Sequence, residues 1–361
     1  MSALGVAIIG CGGIALQNHV PGLSLCPETR IVALCDADAA RLEQARQQTG
    51  VAFSSTHYED VLARDEVQAV IIATPNHTHA PIALAALARG AHVLCEKPLA
   101  LNAGEAGLMA ETADRAGVRH MTAFTYRFVP AMRYLRALVE QGDLGVPFNY
   151  RSCRLQDWGH RNLGWRQVKG LAGTGELGDM LSHRIDFAHK LVGPFRRLVA
   201  QLKRFVPTRG GQPSDLEDWV GVLAEFTSGA TGVLESTKLA SGRNESWRSL
   251  DSVEVNGSEC SFVFSTGTWN QLQAGRAGGS GLAPLPVPRE YWRWPGSPRD
   301  PQAGDPLVTF RYDQAWEFID AIRNQRPCDA TFHDGARVQA VMDAVVASAE
   351  NQQWTELEAK R

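Results

Sequence analysis

Up to residue 125 the chain alternates short apolar runs with stretches whose apolar positions recur every three or four residues. Residues 6–9 predict a strand and 12–25 a helix; 31–35 predict a second strand and 37–48 its following helix. Residues 69–73 are so apolar that they predict a strand buried on both faces. Helix 80–88, ended by Gly90, strand 92–95, helix 103–116 and strand 121–124 continue the alternation. These five strands, separated by helices, predict the doubly wound parallel sheet whose full set is six strands.

Beyond that point the rhythm changes. Residues 130–140 still read as helix, but 148–158 and 220–226 alternate with a period of two, as do 231–239 and 252–264. One helix, 179–191, interrupts them, and two more, 313–324 and 335–350, close the chain. The stretch 274–306 is dense in Gly and Pro and reads as an ordered loop carrying Trp292 and Trp294. Trp219 and Trp316 fall in regular patterns and are expected in the core. The second half is therefore expected to be α+β, with a large, mainly antiparallel sheet backed by helices.

Composition narrows the function classes. The 361 residues suit two domains, and 44% hydrophobic with 21% charged residues is ordinary globular composition. The net charge is −3 with scattered Lys and Arg, which argues against nucleic acid or an anionic membrane as partner. Seven cysteines, widely spaced and without a C-x-x-C pair, argue against a disulfide framework or a zinc site and for a reducing cytosol. With no leader-like N-terminus and no apolar run of about 20 residues, a cytoplasmic protein is expected.

Directly after the first strand comes Gly10-Cys11-Gly12-Gly13-Ile14-Ala15. This is the G-x-G-x-x-A turn: Gly10 permits the tight bend, Gly12 leaves room for a pyrophosphate, and Ala15 lets the helix pack on the strand. Gly13 and Ile14 open the helix whose N-terminal amides face the phosphates. Asp36, at the end of the second strand, is where an acid receives the adenosine ribose hydroxyls. Its carboxylate repels a 2′-phosphate, which favours NAD over NADP, although Arg41 is available to partner a phosphate. The expected division is a Rossmann dinucleotide-binding domain at 1–124 and a substrate-binding and oligomerisation domain at 125–361.

Two further motifs, Thr74-Pro75-Asn76-His77-Thr78-His79 and Glu96-Lys97-Pro98, follow strands of the first half. In the second half, residues 173–186 (Gly-Thr-Gly-Glu-Leu-Gly-Asp-Met-Leu-Ser-His-Arg-Ile-Asp) follow a G-G-G-x-L-x-D-x-x-x-H-x-x-D pattern, with Thr174 replacing its middle glycine. With the glycine turn, Tyr126-Arg127-Phe128-Val129-Pro130 and Trp165-Arg166, these segments resemble the Gfo/Idh/MocA family of NAD(P)-dependent oxidoreductases. The resemblance implies a cofactor side formed by Thr74, Asn76, His79, Glu96, Lys97, Arg127, Trp165 and Arg166.

Lys97, just past the carboxyl end of a parallel strand, suits a positive group that polarises a substrate oxygen. Asp179, His183 and Asp186 are spaced i, i+4, i+7 and share a helix face. A carboxylate one turn from a histidine sets its tautomer and basicity. The resemblance makes His183 the general base and Asp179 its orienting partner or a ligand of an adjacent substrate hydroxyl, leaving Asp186 structural. A metal held by Asp179 and His183 lacks a third ligand in phase, so none is expected. His77 and His79 are assigned to the cofactor loop, Asn76 to the cap of the next helix, and Cys95 to packing.

Residues 151–166 supply Arg154, Trp158 and His160, which with Tyr126, Lys97, Asp179 and His183 form the expected substrate set. Hydrogen-bonding groups beside flat aromatic surfaces suit a polyhydroxylated ring. The expected activity is hydride transfer between NAD and a ring hydroxyl of a sugar, sugar derivative or cyclitol. Two alternatives stand beside it: an NAD-dependent glycoside-cleaving enzyme working by oxidation and elimination, and a non-catalytic dinucleotide-sensing regulator. Both faces of strand 220–226 are substantially apolar, which predicts a homo-oligomer, dimer or tetramer, unless 274–306 folds over the open face.

Overall fold

The computed structural model describes residues 3–245 and 250–357. They divide into two compact units, Met1–Phe128 with Arg293–Arg337, and Val129–Trp292 with Val338–Arg361.

The first unit is built on six strands: β1 (Leu4–Ile9), β2 (Thr29–Cys35), β3 (Phe53–Ser55), β4 (Ala69–Ile72), β5 (His92–Cys95) and β6 (His120–Thr122). Their order is β3-β2-β1-β4-β5-β6, and every neighbouring pair is parallel. This is the doubly wound order of dinucleotide-binding folds, in which chain direction across the sheet reverses between β1 and β4. Val6, Ala7, Ile8, Ala69, Val70, Ile71 and Ile72 are all 0% exposed, as the unbroken apolar runs require of strands covered on both faces.

Residues 293–337 complete this unit rather than the other. Helix Tyr312–Arg323 packs on helix Val20–Leu25 so closely that a Cβ on Gly22 would lie 3.0 Å from the Ala315 Cβ. At the end of the sheet the Thr122 amide donates to the Ala330 carbonyl at 2.7 Å. Arg127 is buried and its guanidinium lies 3.4 Å from both Asp329 and Asp334.

The second unit carries β7 (Pro147–Leu155), β8 (Phe195–Lys203), a small hairpin β9 (Thr208–Arg209) and β10 (Gln212–Pro213), β11 (Trp219–Phe226), β12 (Thr231–Thr237), β13 (Leu250–Gly257), β14 (Cys260–Ser265), β15 (Gln271–Arg276), β16 (Ala283–Pro286) and β17 (Thr355–Glu356). All but the hairpin form one nine-stranded sheet in the order β16-β15-β14-β13-β7-β12-β11-β8-β17. Neighbours are antiparallel except β7 and β12, which run parallel, so the sheet is mainly antiparallel as expected. Helices Pro130–Glu140 and Ser182–Leu191 cover one face. On that face of β11, Val220, Val222, Ala224 and Phe226 are at most 4% exposed, whereas Leu223 on the other is 51% exposed.

Several sequence expectations need correction. The stretch 274–306 is not loop throughout: it begins within β15 and includes β16, an edge strand that tolerates Pro284 and Pro286 because its outer side needs no amide donors. Strand β8 escaped the sequence reading because its Arg, Gln and Lys residues mask the alternation. Asn76 does not cap a helix from outside; it begins a helical turn, Asn76–Thr78, after Pro75. Neither Trp219 nor Trp316 is core. Both are half-buried, with indole N–H groups donating to Glu235 at 2.8 Å and to the Pro295 carbonyl at 3.0 Å.

Candidate active site

In the first unit the turn after β1 is shaped by its backbone. Gly10 has φ +95°, and a Cβ there would lie 2.5 Å from the carbonyl of Ala73 and 2.8 Å from the Thr74 amide. Only glycine fits both the dihedral and the close approach. Around Gly12, by contrast, a Cβ would meet nothing within 4 Å, so the open room lies where a pyrophosphate approaches the helix amides. Gly13 and Ile14 start the helical stretch, which passes through a wide π-helical turn, Ala15–His19, before Val20–Leu25.

Asp36 stands at the end of β2. It accepts the Cys11 amide at 2.8 Å and the Asp38 amide at 2.9 Å, which orients the carboxylate beside the glycine turn. Arg41 approaches it to 3.9 Å. These residues fit a dinucleotide: an anion cradle with space above it, and an acid placed for ribose hydroxyls.

Two loops follow β4 and β5 at the same carboxyl end of the sheet. Thr74 and Thr78 hydroxyls are 2.7 Å apart, and Asn76 is buried. The ring of His79, fully buried, bridges the loops, with Nε2 3.0 Å from the Thr74 carbonyl and Nδ1 2.9 Å from the Pro98 carbonyl. Burial pushes its imidazole below the usual range, opposed by the two carbonyls it meets, and His79 ties the two loops together from beneath. Glu96 lies 2.8 Å from His19 Nε2. Burial opposes ionisation of Glu96, but the hydrogen bond and charge of His19, with the charge of Lys97, pull its carboxyl below the ordinary range. Lys97 is half-buried and joins Pro98 through a cis peptide.

In the second unit a π-helical turn, Leu177–Leu181, carries Asp179, and the regular helix Ser182–Leu191 that follows carries His183 and Asp186. Asp179 is half-buried; His183 and Asp186 are 2% and 1% exposed. Single π turns are frequent at functional sites, and this chain places one at each of its two motif helices. The turn is anchored from the segment just ahead of β11, where Glu217 Oε1 accepts the amides of Gly175 at 2.7 Å and Leu177 at 3.0 Å.

Trp158 sits between two cations: the Lys238 ammonium is 5.4 Å and the Arg161 guanidinium 5.2 Å from its ring. His160 is exposed nearby in sequence, and Arg166 stacks on Trp165 at 4.3 Å in the turn Gly164–Gln167. Two expected site residues are engaged elsewhere. Arg154 is buried and held by Asp251 at 3.0 Å, in a cluster that Arg184 shares, and Arg127 is committed to Asp329 and Asp334. Tyr126 belongs to the first unit, its ring 6.1 Å from that of Phe310. His19 and Glu217 were not foreseen, because their partners lie 77 and about 40 residues away and no local pattern links them. Among the described residues no group of three His, Cys, Asp or Glu side chains is placed to hold a metal ion.

Comparison with known proteins agrees with this anatomy. Residues 4–124 match the profile described as the GFO_IDH_MocA oxidoreductase family with an NAD-binding Rossmann fold, and 132–263 match the GFO/IDH/MocA C-terminal domain. The chain is 32% identical to a levoglucosan dehydrogenase of Pseudarthrobacter phenanthrenivorans, over 99% of each chain. It is 25% identical to a glucose-6-phosphate 3-dehydrogenase of Bacillus subtilis, over 96% of this chain and 97% of that one. A solved levoglucosan dehydrogenase in complex with NADH and levoglucosan superposes with a TM-score of 0.89 at 30% identity, covering 98% of this chain and 99% of that one.

Proposed function

The chain belongs to the Gfo/Idh/MocA family of oxidoreductases, and from that premise we propose that it is an NAD-dependent dehydrogenase oxidising a ring hydroxyl of a sugar or cyclitol to a ketone. NAD, when bound, supplies the hydride acceptor. Gly10, Gly12 and the helix amides hold its pyrophosphate, and Asp36 its ribose. His183 takes the hydroxyl proton as the carbon–hydrogen electron pair leaves as hydride, so that the products are ketone, NADH and one proton. Asp179 orients the imidazole or the neighbouring hydroxyl, and Lys97 stabilises negative charge developing on the substrate oxygen.

The observation that carries this reading is the presence, in one chain, of an Asp36-terminated glycine turn together with Lys97, Asp179 and His183. A dinucleotide-sensing regulator needs the turn but not the ionisable set. The half-buried face of Trp158 suits the C–H side of a pyranose, and full-length similarity to levoglucosan dehydrogenases makes an anhydrosugar the first ring to test. Purified protein with NAD and a panel of anhydrosugars, monosaccharides and inositols is expected to form NADH with at least one. A silent panel with NAD demonstrably bound would sink the reading.

The open face of the second sheet supports self-association. Leu223 pairs across strands with Val233 and Val199, and Leu223 and Val233 are 51% and 45% exposed. A second copy packing on that apolar patch makes a homodimer, or a tetramer through a further contact. Seven free cysteines suit the reducing cytoplasm, and no helix among the described residues is long and apolar enough to cross a membrane.

A further inference from the structure

Next to the turn that carries Asp179 lies a carboxyl that the proposed reaction does not use. Glu176 is 0% exposed; its Oε1 is 2.5 Å from the Ser236 hydroxyl and its Oε2 3.8 Å from the Lys238 ammonium. The Ser236 hydroxyl, also 0% exposed, is in addition 3.1 Å from the Arg154 carbonyl. A hydroxyl has one proton, and a carbonyl can only accept. If Glu176 were ionised, two acceptors would compete for that proton inside the core. If Glu176 is protonated, its O–H donates to Ser236 and Ser236 donates to the Arg154 carbonyl, while Oε2, buried without a hydrogen-bond partner, is left as a neutral carbonyl oxygen rather than a charged one.

Charge bookkeeping points the same way. Three carboxyls meet here: Glu176 just before the turn, Asp179 on it, and Glu217 ahead of β11. The Lys238 ammonium, beyond β12 and 2% exposed, faces Glu176 and Glu217. The Arg154 guanidinium from β7 is turned to Asp251, and Asp218, next to Glu217, is paired with Arg209. Glu217 accepts two backbone amides, which favours its charged form over that of Glu176.

We propose that Glu176 is a positioning residue kept as a neutral carboxylic acid, whose proton ties the Asp179 and His183 segment to the β7–β12 strand pair and whose loss sets an alkaline limit on the working site. This rests on the dehydrogenase reading above for its consequence in turnover, but not for the protonation itself. Burial pushes the Glu176 carboxyl up to about 8, opposed by the charge of Lys238 and reinforced by those of Asp179 and Glu217. Above that pH a second carboxylate is forced beside Asp179, and the Ser236 relay loses its donor.

Glu176→Gln keeps a donor for Ser236 and an acceptor for Lys238 but cannot ionise. Its kcat/KM with levoglucosan, or with the panel sugar that gives most NADH, should equal wild type near pH 6 and exceed it about tenfold at pH 9, one unit past a single-proton inflection. NAD affinity should not change. Because the folded value lies above the ordinary carboxyl value of 4.5, the stabilising proton is fully present below the latter and lost as pH rises through the former. The melting temperature of Glu176→Gln should therefore gain on wild type between about pH 5 and 8 and then level off.

Infrared titration of the wild type should show one buried carboxylic-acid band lost near pH 8 and absent from Glu176→Gln. Should that variant fail to fold, Lys238→Met must move the band's inflection upward, since an ammonium that lowers it is gone. A kinetic ratio flat with pH, or no acid band lost between about pH 6 and 10, overturns the proposal. Absence of any NADH formation by the wild type overturns the dehydrogenase reading instead, and the infrared titration then decides Glu176 alone.

Discussion

Adding one methyl group at Gly10 or at Gly12 separates what the glycine turn does for the fold from what it does for NAD. Gly10→Ala forces a side chain onto φ +95°, which costs about 1–2 kcal/mol even in the milder left-handed region. The new Cβ also sits 2.5 Å from the Ala73 carbonyl, nearly 1 Å inside normal contact. Gly10 cannot slide away without breaking the hydrogen bond that its amide donates to the Cys35 carbonyl at 2.8 Å. Overpacking of that kind costs about 1–3 kcal/mol, so roughly 2–5 kcal/mol is lost in total. For a unit of this size that is a fall in Tm of about 4–20 °C. Gly12→Ala meets nothing within 4 Å, and its stability should stay within about 0.5 kcal/mol of wild type. Its methyl instead occupies the pyrophosphate approach and removes one charge-assisted amide contact, about 1.5–3 kcal/mol or roughly 10–150-fold in NAD affinity. Calorimetry without NAD, so that binding does not add to stability, and titration calorimetry with NAD read the two effects. If Gly12→Ala melts as low as Gly10→Ala, or binds NAD like the wild type, the assignment of the open space to the pyrophosphate is wrong.

Lys97→Ala should lower kcat at least a hundredfold while NAD affinity, followed by titration calorimetry, stays within a few-fold; full turnover would remove Lys97 from catalysis. Asp36→Ala should weaken NAD and relax the rejection of NADP, because a ribose acceptor and a repulsive charge vanish together while Arg41, now 3.9 Å from that carboxylate, is released; comparing kcat/KM for both cofactors checks it, and a wild type that already prefers NADP contradicts it. Leu223→Glu should split the assembly to single chains in light scattering at micromolar concentration, and a wild-type mass equal to one chain would refute self-association through this face.

What the chain reveals by itself is what short-range physics decides. Residues 69–72 are apolar at every position, so their strand had to lie inside a covered parallel sheet, and it does. Gly10, Gly12 and Ala15 directly follow one strand and Asp36 follows the next, so the dinucleotide-binding fold and a candidate site within it were readable from spacing alone. The period of two along 220–226 sorted its residues onto two faces, because side chains alternate across a strand, but with both faces apolar only the fold shows that Val220, Val222, Ala224 and Phe226 are the covered ones. Tertiary structure decided everything that depends on which distant segments meet. β7 lies parallel to β12 and antiparallel to β13, an arrangement that hydrophobic patterning leaves open because each strand shows the same alternation whatever its neighbour's direction. Residues 293–337 return to the first unit because Arg127 needs Asp329 and Asp334, partners some 200 residues away. Glu176 stood in plain view inside a recognised motif, yet its sequence neighbours are unremarkable. Only the fold brings Ser236, Lys238 and Glu217 around it, and with them the burial and the neighbouring carboxyls that make its proton matter.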